Sequence, residues 1–268
     1  INMQAGVVQG HFRGGRSTEV TYLIDGIKVD EGFSSEGQAV ALEPDALSEI
    51  EVIIGTFNAE YGKAMSGVVN QITKSGTNKF EGSTSLSYAN YLTPNLDIFP
   101  GINQLALNSN QDYRLQIGGP IIRDRLFFFI NYKMGLYNNH LNGFDYFSPS
   151  DQSDYSSDNP DEWVSEHTGD SSLVAMNTST NSSLMGKLKF IINDKWKTSF
   201  LFTNNLGSWH PYSHAFMYNP SGVAYSTSET SFYAFQSNYM ISNSIFFDIK
   251  YSNLSYSNGY FVYEDPTD

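Results

Sequence analysis

Apolar and polar residues alternate along most of the chain from residue 80 onward. In residues 112–117, which read DYRLQI, an apolar side chain follows every polar one. A period of two residues is typical of a β-strand with one apolar and one wet face. The same kind of pattern predicts seven strands, at residues 80–92, 111–121, 126–138, 183–192, 196–206, 231–241 and 244–263.

The connections between these predicted strands alternate between long and short. The long ones are residues 93–110, 139–182 and 207–230, and the short ones are 122–125, 193–195 and 242–243. Outer-membrane β-barrels have short periplasmic turns and long extracellular loops, whereas a soluble sandwich has no reason to sort its loops in this way. The long connections also contain no Lys or Arg. The pattern therefore predicts part of a transmembrane barrel wall with the long loops outside the cell.

The two faces of each predicted strand differ in charge. Leu184 and Leu188 lie on one face of their strand, and Lys187 and Lys189 lie on the other. A lysine that faces lipid at mid-bilayer costs about 2–4 kcal/mol, so we expect both lysines to point into the lumen. Seven strands with an open edge would leave backbone groups unsatisfied in lipid, so we expect further strands from outside this chain. An aromatic girdle is predicted at Tyr132, Tyr137, Trp196, Tyr239 and Tyr263.

Residues 1–79 have a different pattern, with many glycines and short strand candidates. Strands are predicted at residues 20–24, 50–54 and 65–73, and a short helical turn is predicted at residues 44–49. The dipeptide Asp25-Gly26 is typical of a tight turn. These features predict a small mixed α+β domain.

Five motifs in this first part occur in the order of a known family. They read FRGGRS (12–17), YLIDGI (22–27), IEVIIG (50–55), AEYG (59–62) and SGVVNQITKSG (66–76). This series resembles the plug domain of TonB-dependent outer-membrane receptors. Residues 118–129 resemble the early barrel hairpin of the Oar-like branch, which is close to the SusC-like receptors. The resemblance implies that residues 1–79 are the C-terminal part of a plug domain, and that residues 80–268 are the first seven strands of a barrel of about 22 strands.

The resemblance also implies a function and a location. Such a receptor is an integral β-barrel of the Gram-negative outer membrane, in contact with lipid and lipopolysaccharide, and takes up an oligosaccharide, a peptide or a metal chelate. We expect this chain to be a fragment of a longer, processed protein. The TonB energy-transducing complex would act through an N-terminal segment outside this chain. No cofactor is implied. The alternative is a barrel that serves as a binding or assembly platform for a partner protein, for which a surface lipoprotein is a candidate. An outer-membrane enzyme and a soluble adhesin rank lower.

Composition and motifs exclude several other classes of protein. The chain has no cysteine, so neither a disulfide framework nor a thiolate site is available. A net charge of -13 argues against nucleic acid as a partner, because phosphate binding needs basic patches. No apolar run approaches the roughly 18 residues of a membrane helix. Since no G-x-S-x-G or H-E-x-x-H motif occurs, nothing argues for an enzyme.

Candidate functional residues in the plug part come mainly from the resemblance. It implies that Arg13 and Arg16 pair with carboxylates on the inner barrel wall as a plug-to-barrel lock, although both could be ordinary surface residues of a turn. We expect Asp25 to shape its turn rather than to touch substrate. Plug turns are predicted at Gly14, Gly15, Asp25 and Gly26.

Candidate residues in the long connections fall into two groups. Asp151, Asp154, Asp158 and Asp161 offer hard oxygen ligands for calcium, but their spacing does not match a calcium loop, and a solvated acidic loop is the better interpretation. The second group suits sugar or peptide capture, with self-packing of the loop as the alternative. It consists of Trp209, His210, Tyr212, His214 and Tyr218.

Overall fold

The computed structural model describes residues 7–8, 11–12, 20–29, 39–53, 67–107, 109–263 and 265. Apart from a two-stranded ribbon of β1 (Val7–Val8) and β2 (His11–Phe12), two sheets organise these residues. The plug sheet contains β3 (Val20–Ile24), β4 (Ile27–Lys28), β5 (Leu47–Ile53) and β6 (Gly67–Thr73) in the order β4-β3-β6-β5. The larger sheet, which we call the wall, has seven strands.

The wall strands pair antiparallel with their neighbours along the chain. They are β7 (Glu81–Ala89), β8 (Asn110–Ile122), β9 (Leu126–Tyr137), β14 (Thr178–Asn193), β15 (Trp196–His210), β16 (Tyr225–Ser242) and β17 (Ile245–Phe261). Between β9 and β14 lie two small hairpins. They are formed by β10 (Asn142–Phe144) with β13 (Leu173–Ala175), and by β11 (Ser153–Asp154) with β12 (Val164–Ser165).

In the plug sheet, β3 and β6 are the central pair and run parallel. The run VTYLI of β3 is mostly buried, as expected for a strand that is covered on both faces. The helical turn predicted at residues 44–49 is a 3₁₀ turn over Pro44–Ala46 only. It is shorter than predicted because the next residues, from Leu47, pair with β6 as a strand. The described residues contain no α-helix, and they hold no helix of the length and apolar character that a membrane-spanning helix needs.

The seven wall strands correspond to the seven that the alternation predicts, but β14, β15 and β16 extend several residues further into the predicted long connections. The connection predicted at residues 139–182 ends where β14 begins at Thr178, and the one predicted at residues 207–230 spans only residues 211–224. The added residues are mostly Ser, Thr and Asn, which show no apolar alternation. Their backbones nevertheless continue the ladder, in which Ser179 pairs with Trp209 and Trp209 with Ser226.

The wall has one face against the plug sheet and one face without a protein partner in the structure. The inner face shares an apolar cluster with the plug sheet and its flanking residues. The plug side contributes Ile24, Ile27, Val29, Val40 and Ala46, and the wall contributes Phe129, Met185, Leu201, Phe232 and Ala234. Exposed apolar side chains mark the outer face, among them Leu115, Ile130, Leu188, Phe200, Phe235 and Ile249. This is the arrangement of a barrel wall that faces lipid outside and a plug inside.

The aromatic girdle is only partly as predicted. Trp196 and Tyr239 lie opposite each other near the short turns, with ring centroids 5.6 Å apart. Tyr137 is different, because its hydroxyl donates to Asp112 on the inner face of β8. Tyr132 lies in the middle of β9 rather than near its end. The alternation alone did not separate Tyr137 from true girdle positions, because tyrosine is compatible with a lumen as well as with an interface.

Candidate functional site

Asp25 joins the plug sheet to the wall. It occupies the turn between β3 and β4 with a φ of 50°, and Gly26 follows with a φ of 75°. The Asp25 carboxylate accepts hydrogen bonds from the Thr73 N–H (2.9 Å) and hydroxyl (2.7 Å), and from the Lys187 ammonium (2.9 Å). Lys187 also donates to the Thr73 hydroxyl oxygen at 2.7 Å. Because the side chains of Lys187 and Asp25 are only 9% and 14% exposed, water screens this pair less than a surface ion pair.

Two further ion pairs hold the plug segment that precedes β5. Lys133 on β9 contacts Glu43 at 3.1 Å, and Arg114 on β8 contacts Asp45 at 3.3 Å. Both pairs are more exposed than the Asp25 pair, so each contributes about 0–1 kcal/mol. In each case the plug supplies the carboxylate and the wall supplies the cation.

Uncharged groups on the plug complete its contacts with the wall. The Asn205 side-chain amide donates to the Ala41 carbonyl at 2.9 Å, and the Lys250 ammonium donates to the Gly26 carbonyl at 3.4 Å. We call these contacts, together with the three ion pairs and the apolar cluster, the plug seat. Five of the seven wall strands contribute a polar contact to it, so the plug is held across the width of the described wall.

The plug-to-barrel lock that the resemblance implies, with arginines of the plug on carboxylates of the wall, stays a prediction. In the described ion pairs, the plug supplies the carboxylates and the wall supplies the cations. Arg13 and Arg16, like Gly14 and Gly15, lie outside the described residues. Sequence reasoning missed Glu43 and Asp45. A signal was present, because lysines on an inward strand face cannot meet lipid and need acidic partners.

Above the plug seat, the inner face of the wall is polar and open. A cavity of about 280 Å³ lies between plug and wall, lined by Ala41, Glu43, Lys133, Asn181, Asn205 and Thr230. A second hollow of about 460 Å³ lies further along the same strands, lined by Asn181, Trp209, Ser226, Ser228, Asn258 and Tyr260. The described wall thus offers a continuous polar surface from the plug toward the long connections.

The structure divides the predicted aromatic cluster. Trp209 and His210 lie on β15 rather than in a loop, because the ladder with β16 continues through this polar stretch. His210 Nε2 lies 3.0 Å from the Val223 carbonyl. Trp209 is 53% exposed and lines the second hollow.

The other members of that cluster pack within the loops. Tyr218 stacks on Phe144, with ring centroids 5.9 Å apart, and the Tyr212 hydroxyl lies 2.8 Å from His214 Nδ1. The Phe144 N–H donates to the Met217 carbonyl (2.7 Å), and the Asn142 side-chain amide donates to the Pro100 carbonyl (2.8 Å), so hydrogen bonds join the three long connections. Self-packing therefore describes Tyr218 and its neighbours, whereas Trp209 has a separate environment.

The acidic residues of the long connection between β9 and β14 satisfy local backbone groups. Asp151 accepts from the Thr168 hydroxyl (2.7 Å) and N–H (2.9 Å) and from the Ser148 N–H (2.9 Å), and these bonds hold the pKa of Asp151 below its ordinary value of 3.8. Asp154 accepts from Ser156 in the same way, which lowers its pKa. Within the described part of the chain, no three His, Asp or Glu side chains are grouped to hold a metal ion. The structure therefore does not bring three of Asp151, Asp154, Asp158 and Asp161 together.

Two family models match successive parts of the chain. The TonB-dependent receptor plug domain matches residues 3–69, and an outer membrane beta barrel domain matches residues 72–160. The TonB-dependent transporter Oar of Myxococcus xanthus is 27% identical over 200 residues, which cover 70% of this chain and 18% of Oar. The chain therefore spans about a fifth of the length of this relative.

Solved structures show the same fold. The siderophore receptor PirA of Pseudomonas aeruginosa superimposes with a TM-score of 0.58 at 17% identity, over 95% of this chain and 36% of PirA. The transporter YddB of Escherichia coli gives 0.56 at 14% identity, over 87% of this chain and 30% of YddB. The ferric yersiniabactin uptake receptor FyuA of Yersinia pestis superimposes with a TM-score of 0.54 at 14% identity, over 95% of this chain and 34% of FyuA.

These matches agree with the architecture of the described residues, in which a small plug sheet is seated against the inner face of an antiparallel wall. The plug model and the barrel model follow each other along the chain in the same order as the two sheets. The chain belongs to the TonB-dependent receptors, which are β-barrel proteins of the Gram-negative outer membrane.

Proposed function

We propose that this chain forms the plug end, residues 1–79, and the first seven wall strands, residues 80–268, of a receptor that imports a ligand across the outer membrane. The plug seat carries this proposal. It combines an apolar cluster with three ion pairs, two of them exposed and of modest strength, so the plug is held against the wall and can still be displaced by an external force.

In the proposed mechanism, the long connections and the upper face of the plug bind the ligand first. The TonB complex then pulls on an N-terminal segment outside this chain, and the plug shifts against the wall. The energy comes from the inner membrane, so the chain itself needs no nucleotide. Lipid and lipopolysaccharide surround the outer face of the wall. The candidate ligands are an oligosaccharide, a peptide and a metal chelate.

The test is an uptake measurement with the intact receptor in cells that have or lack TonB. The probes are fluorescently labelled versions of a neutral linear hexasaccharide, an uncharged hexapeptide and a ferric tris-catecholate. We expect one probe to accumulate only when TonB and the proton gradient are both present. Equal accumulation with and without TonB would contradict the proposal.

A surface platform is the second candidate function, and the packing of the long connections supports it. Tyr155 and Trp163 form an edge-on ring pair 5.5 Å apart at the tip of the longest connection, and both are about half exposed. Exposed aromatic side chains are typical anchors for a protein partner such as a surface lipoprotein. Deleting residues 153–165 would release such a partner from cells and leave probe uptake unchanged, whereas a pure importer would retain no partner with or without this hairpin.

A further inference from the structure

Three rows of side chains cross the inner face of the wall above the plug sheet, and the pairing register defines them. The lower row, next to the plug, contains Arg114, Lys133, Ser183, Asn205, Thr230 and Tyr256. The middle row contains Asp112, Gly135, Asn181, Gly207, Ser228 and Asn258. The upper row contains Asn110, Tyr137, Ser179, Trp209, Ser226 and Tyr260.

The middle row is closely packed at its two glycines. A Cβ at Gly207 would lie 2.7 Å from the Ser228 hydroxyl, and a Cβ at Gly135 would lie 2.6 Å from the Tyr137 ring. Any larger residue would therefore displace these neighbours. Beside Gly207, the side chains of Asn181, Ser228 and Asn258 line the hollow of about 460 Å³.

Aromatic and small side chains alternate along the upper row. Ser226 separates Trp209 from Tyr260, so the two aromatic residues lie two strands apart, roughly 10 Å at the backbone. Trp209 is 53% exposed and Tyr260 is 74% exposed. Each ring can therefore offer an apolar face to a ligand while its polar edge remains in water. Spaced rings in a hollow that is also lined by hydroxyl and amide groups suit a ligand that has apolar faces and polar edges.

Charge in these rows argues against an ionic ligand. Among the described residues, the middle and upper rows contain one charged side chain, Asp112, which receives the Arg114 guanidinium at 2.6 Å and the Tyr137 hydroxyl at 3.1 Å. The cations of the lower row are paired, Lys133 with Glu43 and Arg114 with Asp112 and Asp45. An anionic chelate would lose water here without gaining an unpaired cation, which is unfavourable.

We propose that the middle and upper rows form a binding surface for a neutral glycan. Trp209 and Tyr260 stack on sugar rings, and Asn181, Ser228 and Asn258 exchange hydrogen bonds with sugar hydroxyls, which donate and accept as these side chains do. The inference rests on the proposed function, because the glycan must reach this surface from outside the cell.

The test is isothermal titration calorimetry, in which each probe is titrated into the intact receptor in detergent without TonB. The probes are neutral linear hexasaccharides with α-glucan, β-glucan, xylan and mannan backbones. We expect at least one to bind, and we expect Trp209→Ala and Tyr260→Ala each to weaken binding about tenfold, as loss of a stacking contact does. Tyr251→Ala and Phe247→Ala, both on the outer face of β17, are the matched controls and should leave affinity unchanged.

Folding of each variant is checked by its heat-dependent electrophoretic shift, and Trp209→Phe provides a milder variant that keeps an aromatic face. Two results would overturn the inference. One is that none of the hexasaccharides binds, including the case in which a ferric tris-catecholate or an uncharged hexapeptide binds instead. The other is glycan binding that neither Trp209→Ala nor Tyr260→Ala weakens. Because TonB is absent from this assay, either result leaves TonB-dependent uptake to be judged by its own experiment.

Discussion

At the scale of single residues, Asp25 combines a local and a long-range role. An aspartate tolerates the positive φ of its turn better than most residues, which explains its place before Gly26. The same carboxylate accepts from Thr73 on β6 and from Lys187 on the wall. Asp25 thus shapes its turn, and it also ties that turn to a strand that is 162 positions away in sequence.

Removing Lys187 should weaken the plug seat more than removing an exposed cation. Lys187→Met leaves the Asp25 carboxylate poorly solvated and without its cation, at a cost of about 3 kcal/mol in the free energy of plug release. Arg114→Met is the matched control and should cost about 0–1 kcal/mol, because its pair with Asp45 is exposed. Urea titration with protease accessibility of the plug as the readout measures both. Equal costs for the two variants would contradict a special role for the Asp25 pair.

Acid should loosen the long connection at Asp151. Its pKa is lowered by bonds from Thr168 and Ser148, so the stabilisation is complete above the ordinary value of 3.8 and is lost as the pH falls through the lower folded value. Thr168→Val removes the strongest of these bonds, and the transition should then occur at higher pH. The ¹⁹F signal of 5-fluorotryptophan at Trp163, followed from about pH 6 to pH 2.5, reports the change. Asp158→Asn is the control, and a transition that Thr168→Val does not move would refute this assignment.

At the scale of elements, each wall strand separates a lipid-facing from a lumen-facing side. Leu188 lies on the outer face of β14 between Phe128 and Phe200, and Ser183 lies on the inner face of the same strand. Leu188→Lys should cost about 2–4 kcal/mol, because it places a charge in the hydrocarbon region. Ser183→Lys should be nearly neutral. Denaturant titration in liposomes compares them, and similar costs would mean that the outer face does not meet lipid.

The link between plug and wall depends on a close backbone approach. A Cβ at Gly76 would lie 2.7 Å from the Gly119 carbonyl oxygen and closer still to that of Phe128, and backbone atoms cannot move aside as a flexible side chain can. Gly76→Ala should therefore destabilise the receptor by about 1–3 kcal/mol. At Gly186 on β14 nothing lies within 4 Å, so Gly186→Ala serves as the control and should be tolerated. Thermal unfolding in detergent distinguishes the two. A tolerated Gly76→Ala would mean that the link is not tightly packed.

At the scale of the whole molecule, plug and wall behave in our proposal as two bodies joined by a releasable seat. A tether between them should therefore stop import but not ligand binding. Because the chain has no cysteine, Asp25→Cys with Lys187→Cys can be joined by a short bis-maleimide without a native thiol of this chain interfering. We expect uptake of the TonB-dependent probe to fall to the level of cells without TonB.

The control for this tether is a cross-link within the wall. Lys189 and Ser199 are partners on β14 and β15, so joining them as cysteines holds two strands that are already paired. Uptake should continue in this variant. Undiminished uptake with the plug tethered at Asp25 would mean that the ligand passes without movement of this turn.

Much of this organisation could be predicted from local sequence. The alternation DYRLQI placed β8 to within one residue at each end, because the period of two is a property of the strand itself. The prediction of strand ends was wrong where apolar and polar residues do not alternate. Residues 207–210 and 225–230 show no apolar alternation, so their sequence predicts a loop although their backbones are paired.

The sequence by itself determined the number of wall strands, the face of each strand that is apolar and the order of long and short connections. These depend on neighbouring residues and on the cost of placing charge in lipid. Only the tertiary structure decided that Asp25 meets Lys187, that Glu43 meets Lys133, and that Trp209 faces the hollow above the plug while Tyr218 packs against Phe144. Such contacts depend on strand register and on the position of the plug sheet against the wall. Both are determined by residues that are far apart in sequence.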